Sequence, residues 1–317
     1  MPVPIEQALR KSLLGTWRQI NELDWTDSAF ALEKAHVCSL FAQLSYMHLP
    51  QYELAERSRF KVVPCEAYQR LASGGQASNI EEVLRTVDFG QSFVVARRYL
   101  VVVGVRTPKV MLVAIRGTAY LYDWLLNLNV GHHTVQQSDG PLRFHRGFYK
   151  EAMSALPALR ERLIQVAGDG VPIYLTGHSL GGAVAAVLHS LWNQRIPSVG
   201  YARFGTEPDF QIALPVSYTF GMPRYADINT VVALRTPYHI YNDQDIVPTV
   251  PPSWLGYASC MTEFMADGTA LEQRSSREAI AFGAWIARLV TGVGVKHHSM
   301  ELYIDRIAQH VPAKIGT

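Results

Sequence analysis

With 317 residues, 48% of them hydrophobic, the chain has the apolar material for a substantial core and the length for one large α/β domain or two small ones. Its 29 basic and 27 acidic residues nearly cancel to a formal charge of +2, with no long run of one sign, so a nucleic-acid partner is excluded from the expectation. Cys38, Cys65 and Cys260 are odd in number, far apart and without C-x-x-C spacing, which excludes a zinc or dithiol motif and leaves ordinary thiols.

The first ten residues lack a basic start, an apolar core and a small-residue cleavage site, so no secretory leader is expected; the location stays open between cytoplasm and export by another route. Residues 28–49 carry Phe30, Val37, Leu40, Phe41, Leu44 and Met47 at helical spacing. A loop follows at 73–78 (Ser-Gly-Gly-Gln-Ala-Ser), then a short helix at 81–87. The apolar stretch 93–118 is broken by Arg97-Arg98, Gly104 and Arg106-Thr107-Pro108-Lys109, which suits two strands and a turn rather than a membrane span. Residues 120–130 put Leu121, Trp124, Leu125 and Leu128 on one helical face, which suits equally a small amphipathic lid or a helix packed into the core. The pair His132-His133 has no convincing metal spacing. Residues 147–166 read as a helix that Pro157 kinks or interrupts.

A strand from Val171 then runs into Gly177-His178-Ser179-Leu180-Gly181, and the small-residue stretch from Gly182 to Gln194 reads as a helix. A serine between an extended apolar run and a helix, flanked by glycines that leave room for a sharp turn, is a nucleophile elbow. Residues 197–215 look like an irregular insertion. Strands are expected at 216–220 and 238–241, with a helix at 226–234 between them. The segment 279–290 is apolar but too short and interrupted to span a bilayer, and it suits equally a helix packed into the core or an acyl-pocket wall or lipid contact. Residues 300–307 form a last amphipathic helix with Ser299 as its cap. Alternating strands and helices, with no repeat and no low-complexity linker, predict one α/β domain over 1–317: a mostly parallel sheet with helices on both faces. Within it, 1–92 is an N-terminal helical part and 93–310 the catalytic core.

Serine needs a base to take its proton, and the base needs an acid to hold its tautomer. In the α/β-hydrolase order both follow the nucleophile. Asp243 and Asp245 both stand just beyond the 238–241 strand, and spacing alone does not separate them; Asp227 reads as a helix cap and Asp267-Gly268 as a turn. His297 and His298 both precede the last helix, whereas His239 lies inside a strand and His310 on the far side of that helix. The oxyanion needs donors: the Leu180 N–H follows the nucleophile, and Thr118, at the end of the 113–118 segment, offers an N–H and a hydroxyl.

Four landmarks in this order resemble the class 3 lipases, the family of the fungal triacylglycerol lipases and their bacterial relatives. They are Ile115-Arg116-Gly117-Thr118 with Asp123-Trp124, the elbow Gly177 to Ala183, Asp245-Ile246-Val247-Pro248, and His298-Ser299-Met300-Glu301-Leu302-Tyr303. The resemblance implies an α/β-hydrolase fold and a triad of Ser179, Asp245 and His298, taking Asp245 over Asp243 and leaving His297 as a flanking residue. It implies oxyanion donors at Thr118 and Leu180, a lid at 120–130 and no metal or organic cofactor. His145 before Gly147-Phe148 is similar to a supporting family feature, and 219–224 to a structural one. The implied activity is hydrolysis of lipid carboxylic esters through an acyl-enzyme, first as a triacylglycerol lipase, with phospholipase A1 and short-chain or aromatic carboxylesterase as alternatives. The implied partners are a lipid or other ester substrate and a lipid–water interface, without a transmembrane segment. From another class, a lipid- or partner-binding protein on a hydrolase scaffold fits less well, because serine, acid and base are all present.

Overall fold

Strand residues that alternate between two apolar environments are the basis of the architecture. The computed structural model describes residues 5–46, 61–64, 91–96, 100–117, 131–167, 170–193, 215–271 and 296–312. Its strands are β1 (Lys61–Pro64), β2 (Ser92–Ala96), β3 (Val101–Arg106), β4 (Met111–Ile115), β5 (His132–Val135), β6 (Leu142–His145), β7 (Ile173–His178), β8 (Val216–Phe220), β9 (Tyr238–Tyr241) and β10 (Glu263–Met265). The helices are α1 (Ile5–Glu22), α2 (Leu32–Leu44), α3 (Arg146–Val166), α4 (Leu180–Asn193), α5 (Ile228–Ala233) and α6 (Met300–His310).

An eight-stranded sheet runs in the order β1-β2-β3-β4-β7-β8-β9-β10. The first three pairings are antiparallel, and from β4 onward every pairing is parallel. Because successive side chains point to opposite faces, Met111, Val113, Ile115, Ile173 and Leu175 meet α3 and α4 on one side. Leu112, Ala114, Tyr174, Tyr218 and Phe220 meet α1, α2 and α6 on the other. β7 is buried at every position, as a central parallel strand covered on both faces must be. Tyr174 resolves its polar end by donating to the Trp25 and Asp27 carbonyls at 3.1 and 3.0 Å, so a tyrosine is tolerated in this core. β5 and β6 form a separate hairpin beside the main sheet.

Three details depart from the sequence expectation. The stretch from residue 93 folds as three strands rather than two, and its Gly104 is not a break. Gly104 lies within β3 opposite Phe93, whose ring fills the space a side chain would take. α2 begins at Leu32 instead of residue 28, because Asp27 accepts the Ala29 N–H and the Tyr218 hydroxyl accepts the Ala31 N–H, which claims the backbone ahead of the helix. Phe30 instead stacks on Phe264, ring centroids 3.7 Å apart. α3 runs unbroken through Pro157, which sits exposed on its solvent side while Ala152, Ala155, Leu156 and Leu159 anchor the opposite face. The Asp227 and Ser299 caps form as expected, accepting from the Thr230 and Leu302 N–H groups. Thr118, the 73–78 loop, the 81–87 helix, the 120–130 lid, the 279–290 segment and all but the last residue of the 197–215 insertion lie outside the described residues.

Candidate active site

The chain leaves β7 and enters α4 through a single residue, Ser179, with φ 56°, the one non-glycine residue in the left-handed region among those described. A side chain there costs about 1–2 kcal/mol, strain that concentrates at functional positions. The turn is possible because a Cβ on Gly177 would lie 2.5 to 2.8 Å from Gly181 and the Gly182 nitrogen, and one on Gly181 would strike the end of β4 at Ile115 and Arg116. The Ser179 N–H donates to the Phe220 carbonyl at 3.0 Å, fixing the turn to the end of β8. Leu180 opens α4, so its N–H has no intrahelical acceptor and points outward from the first turn. Gly117, the last described residue before Thr118, packs against the elbow: a Cβ on it would lie 2.9 Å from the His178 carbonyl oxygen.

β9 delivers the acid loop. Asp245 is 1% exposed, and its Oδ1 accepts the Val247 N–H at 2.9 Å. Its Oδ2 accepts the Tyr303 hydroxyl at 2.8 Å and the His298 Nδ1–H at 2.7 Å. A carboxylate only accepts, so His298 carries its proton on Nδ1 and leaves Nε2 as a base. Asp243 faces elsewhere: its side chain is largely exposed and pairs with Arg306 at 3.6 Å. His297 lends its carbonyl to the Asn242 amide at 3.3 Å. Ser179 Oγ and His298 Nε2 are both buried and without a hydrogen-bond partner, so they do not bond each other in this conformation. His178, which precedes Ser179 in the chain, places its ring 4.3 Å from that of His298.

Gly221 ends β8 at φ 52° in the middle of this cluster. A Cβ there would come within 2.7 Å of Asp245 Oδ2, 2.9 Å of the Tyr303 hydroxyl and 3.0 Å of His298 Cε1. Gly221→Ala is therefore predicted to lower stability by about 2 kcal/mol, from left-handed strain plus overpacking. It should lower any kcat that depends on His298 by about 10²-fold through displacement of the pair. Urea unfolding and steady-state kinetics check both, and a variant with wild-type kcat would show that the turn accepts a side chain.

Groups given no catalytic role from sequence support the loop. Tyr303, read as an apolar helix position, fixes the acid with its hydroxyl, and burial, then the adjacent Asp245, raise its pKa well above the ordinary phenol value, so it stays a donor. A buried tyrosine needs a polar partner, and that requirement was the available signal. Arg224, 5% exposed, donates through Nη1 to the Thr249 and Pro251 carbonyls at 2.9 and 3.1 Å and pins the chain beyond Asp245. His239 donates from Nδ1 to Glu263 at 3.0 Å and accepts the Met222 N–H at 3.1 Å, steadying the turn after Gly221. His145 caps α3 by accepting the Phe148 N–H at 3.5 Å; burial, with His132 nearby, lowers its pKa to about 4. His132 and His133 stack on Tyr257 and Tyr149. Among the described residues no cluster of three potential metal ligands occurs. Cys38 and Cys260 are buried free thiols; Cys65 is outside the described residues.

Comparison with known proteins agrees with this architecture. The chain is 30% identical over 172 residues to a secreted mono- and diacylglycerol lipase of Fusarium solani, covering 52% of this chain and 46% of that one. It is 28% identical over 166 residues to a lipase of Rhizomucor miehei, covering 50% and 42% respectively. The chain thus spans about half the length of the curated relatives it matches. A two-residue deletion mutant of the Rhizomucor miehei lipase–propeptide complex superposes with a TM-score of 0.50 at 17% identity, over 80% of this chain and 76% of that one, which shows the α/β-hydrolase fold. Residues 112–254, from β4 through the elbow and the loop after β9, match the family described as Lipase (class 3).

Proposed function

We propose that this protein is a serine hydrolase of lipid carboxylic esters, acting as a triacylglycerol lipase through an acyl-enzyme. The observation that carries the reading is the buried Asp245–His298 hydrogen bond of 2.7 Å, set beside a serine held in the left-handed region at a strand–helix turn. In the proposed sequence His298 Nε2 takes the Ser179 proton as Oγ attacks the ester carbonyl. The Leu180 N–H, with Thr118 as second donor, holds the oxyanion. The imidazolium returns the proton to the departing alcohol, and water, activated by the same nitrogen, releases the acid. Asp245 orients the ring and stabilises its charged form without accepting the proton. Ser179 Oγ and His298 Nε2 must approach by side-chain rotation, as is common for catalytic hydrogen bonds that tighten only with substrate bound.

The names of the relatives, lipases for mono- and diacylglycerol among them, support lipid esters as the substrate class. Contact with a lipid–water interface, through 120–130 or 279–290, belongs to the same proposal. Among the described residues no helix is long and apolar enough to cross a membrane. A fluorophosphonate probe is expected to label Ser179, and an unlabelled folded protein would favour a binding role on this scaffold. In a p-nitrophenyl ester series from acetate to palmitate, a lipase should gain activity with long acyl chains and rise sharply above the substrate's solubility limit. A maximum at acetate or butyrate without that rise would point to a carboxylesterase. Release of sn-1 fatty acid from phosphatidylcholine in preference to triolein would point to phospholipase A1.

A further inference from the structure

His178 precedes the proposed nucleophile, is 5% exposed and places Nε2 2.7 Å from the backbone carbonyl oxygen of His298. A carbonyl only accepts, so the Nε2 of His178 carries the proton and its Nδ1 is bare. The Tyr46 hydroxyl sits 3.1 Å from that Nδ1 and donates to it, with the His178 carbonyl 3.3 Å from the same hydroxyl. Gly117 in turn packs on the Tyr46 hydroxyl, which stands where a Cβ on that glycine would lie. Burial, followed by the neighbouring His298, holds the His178 pKa well below the ordinary histidine range, so the ring stays in this neutral form.

We propose that His178 is a positioning residue for the base, tying the backbone of His298 directly to the neighbour of Ser179. The inference rests on His298 being the base. His298 ends the three-residue turn Lys296–His298. Its bond to Asp245 restrains one ring nitrogen but leaves the ring able to pivot about that contact. The bond from His178 adds a second restraint at the backbone, and the ring contact at 4.3 Å a third. Ser179 is covalently next to the donor, so the separation of nucleophile and base is set through one rigid link. Tyr46 extends the link to Gly117, against which its hydroxyl packs. A base held loosely by about 1 Å costs on the order of 10²-fold in rate, while substrate binding is untouched.

Two amides separate this role from simple packing. Gln places its terminal nitrogen where His carries Nε2 and can still donate to the His298 carbonyl; Asn reaches only as far as Nδ1. His178→Asn is expected to lower kcat on p-nitrophenyl butyrate at least tenfold with KM within twofold, and to slow fluorophosphonate labelling in parallel. His178→Gln should stay within threefold of wild type. An Asn variant as fast as wild type overturns the proposal, as does a loss expressed in KM. A folded Gln variant impaired more than tenfold overturns it too, and that arm decides the matter if the Asn variant does not fold. A wild-type protein that takes no label sinks the Ser179 reading together with this one. A labelled wild type beside an equally fast Asn variant sinks the positioning role alone.

Discussion

Ser179→Ala is expected to lower kcat for ester hydrolysis by about 10⁶-fold, the scale seen when a hydrolase loses its nucleophile. It should also leave the melting temperature unchanged or slightly raised. The first effect follows because the proposed chemistry gives the Asp245–His298 pair one nucleophile, the serine held at φ 56°. The second follows from the surroundings of the side chain. Its Oγ is buried without a hydrogen-bond partner, so its removal breaks no bond and ends a desolvation cost. The backbone strain at φ 56° is the same for alanine as for serine. Calorimetry and a p-nitrophenyl ester assay check the two halves separately. A variant that melts ten degrees lower would assign the serine a structural role, and one that still turns over ester would remove it from the chemistry.

Asp245→Asn is expected to lower kcat by about 10⁴-fold with little change in KM, because the substitution alters a tautomer rather than a binding contact. Asp245 Oδ2 accepts two donors, the Tyr303 hydroxyl and the His298 Nδ1–H, while Oδ1 accepts the Val247 N–H. An asparagine satisfies Val247 with its carbonyl oxygen and must then present its NH₂ to the other two. His298 answers by moving its proton to Nε2, and the face toward Ser179 becomes a donor instead of a base. The loss is expected to shrink at alkaline pH as the serine proton becomes easier to remove by other means. Nitrogen-15 NMR of the imidazole checks the tautomer directly. An Asn variant with its proton still on Nδ1 and near-wild-type kcat would release Asp245 from this role.

The local features of the site were readable along the chain. The elbow is a steric problem among five adjacent residues, and the glycines at 177 and 181 stand where the structure leaves no volume for a Cβ. Asp227 and Ser299 were likewise legible as caps, since a cap bonds within three residues of itself. Position alone left Asp243 level with Asp245, and the resemblance chose between them. In the fold Asp243 turns to Arg306 at the surface, and Asp245 turns inward to His298. Gly104 shows the reverse error, a packing glycine under the Phe93 ring that reads in sequence as punctuation.

What the sequence by itself determined is the kind of the elements around the elbow and the chemistry they offer: the strands that became β7, β8 and β9, a serine that must sit on a bend, and candidates for an acid and a base in hydrolase order. Tertiary structure decided which groups meet. Tyr303 reaches Asp245 across 58 residues, His178 reaches His298 across 120 and Tyr46 reaches His178 across 132. The reason is the range of the forces involved. Sterics, capping and side-chain periodicity act between near neighbours and leave a local signature, whereas a hydrogen bond acts over about 3 Å between groups that only the packed sheet and helices bring together.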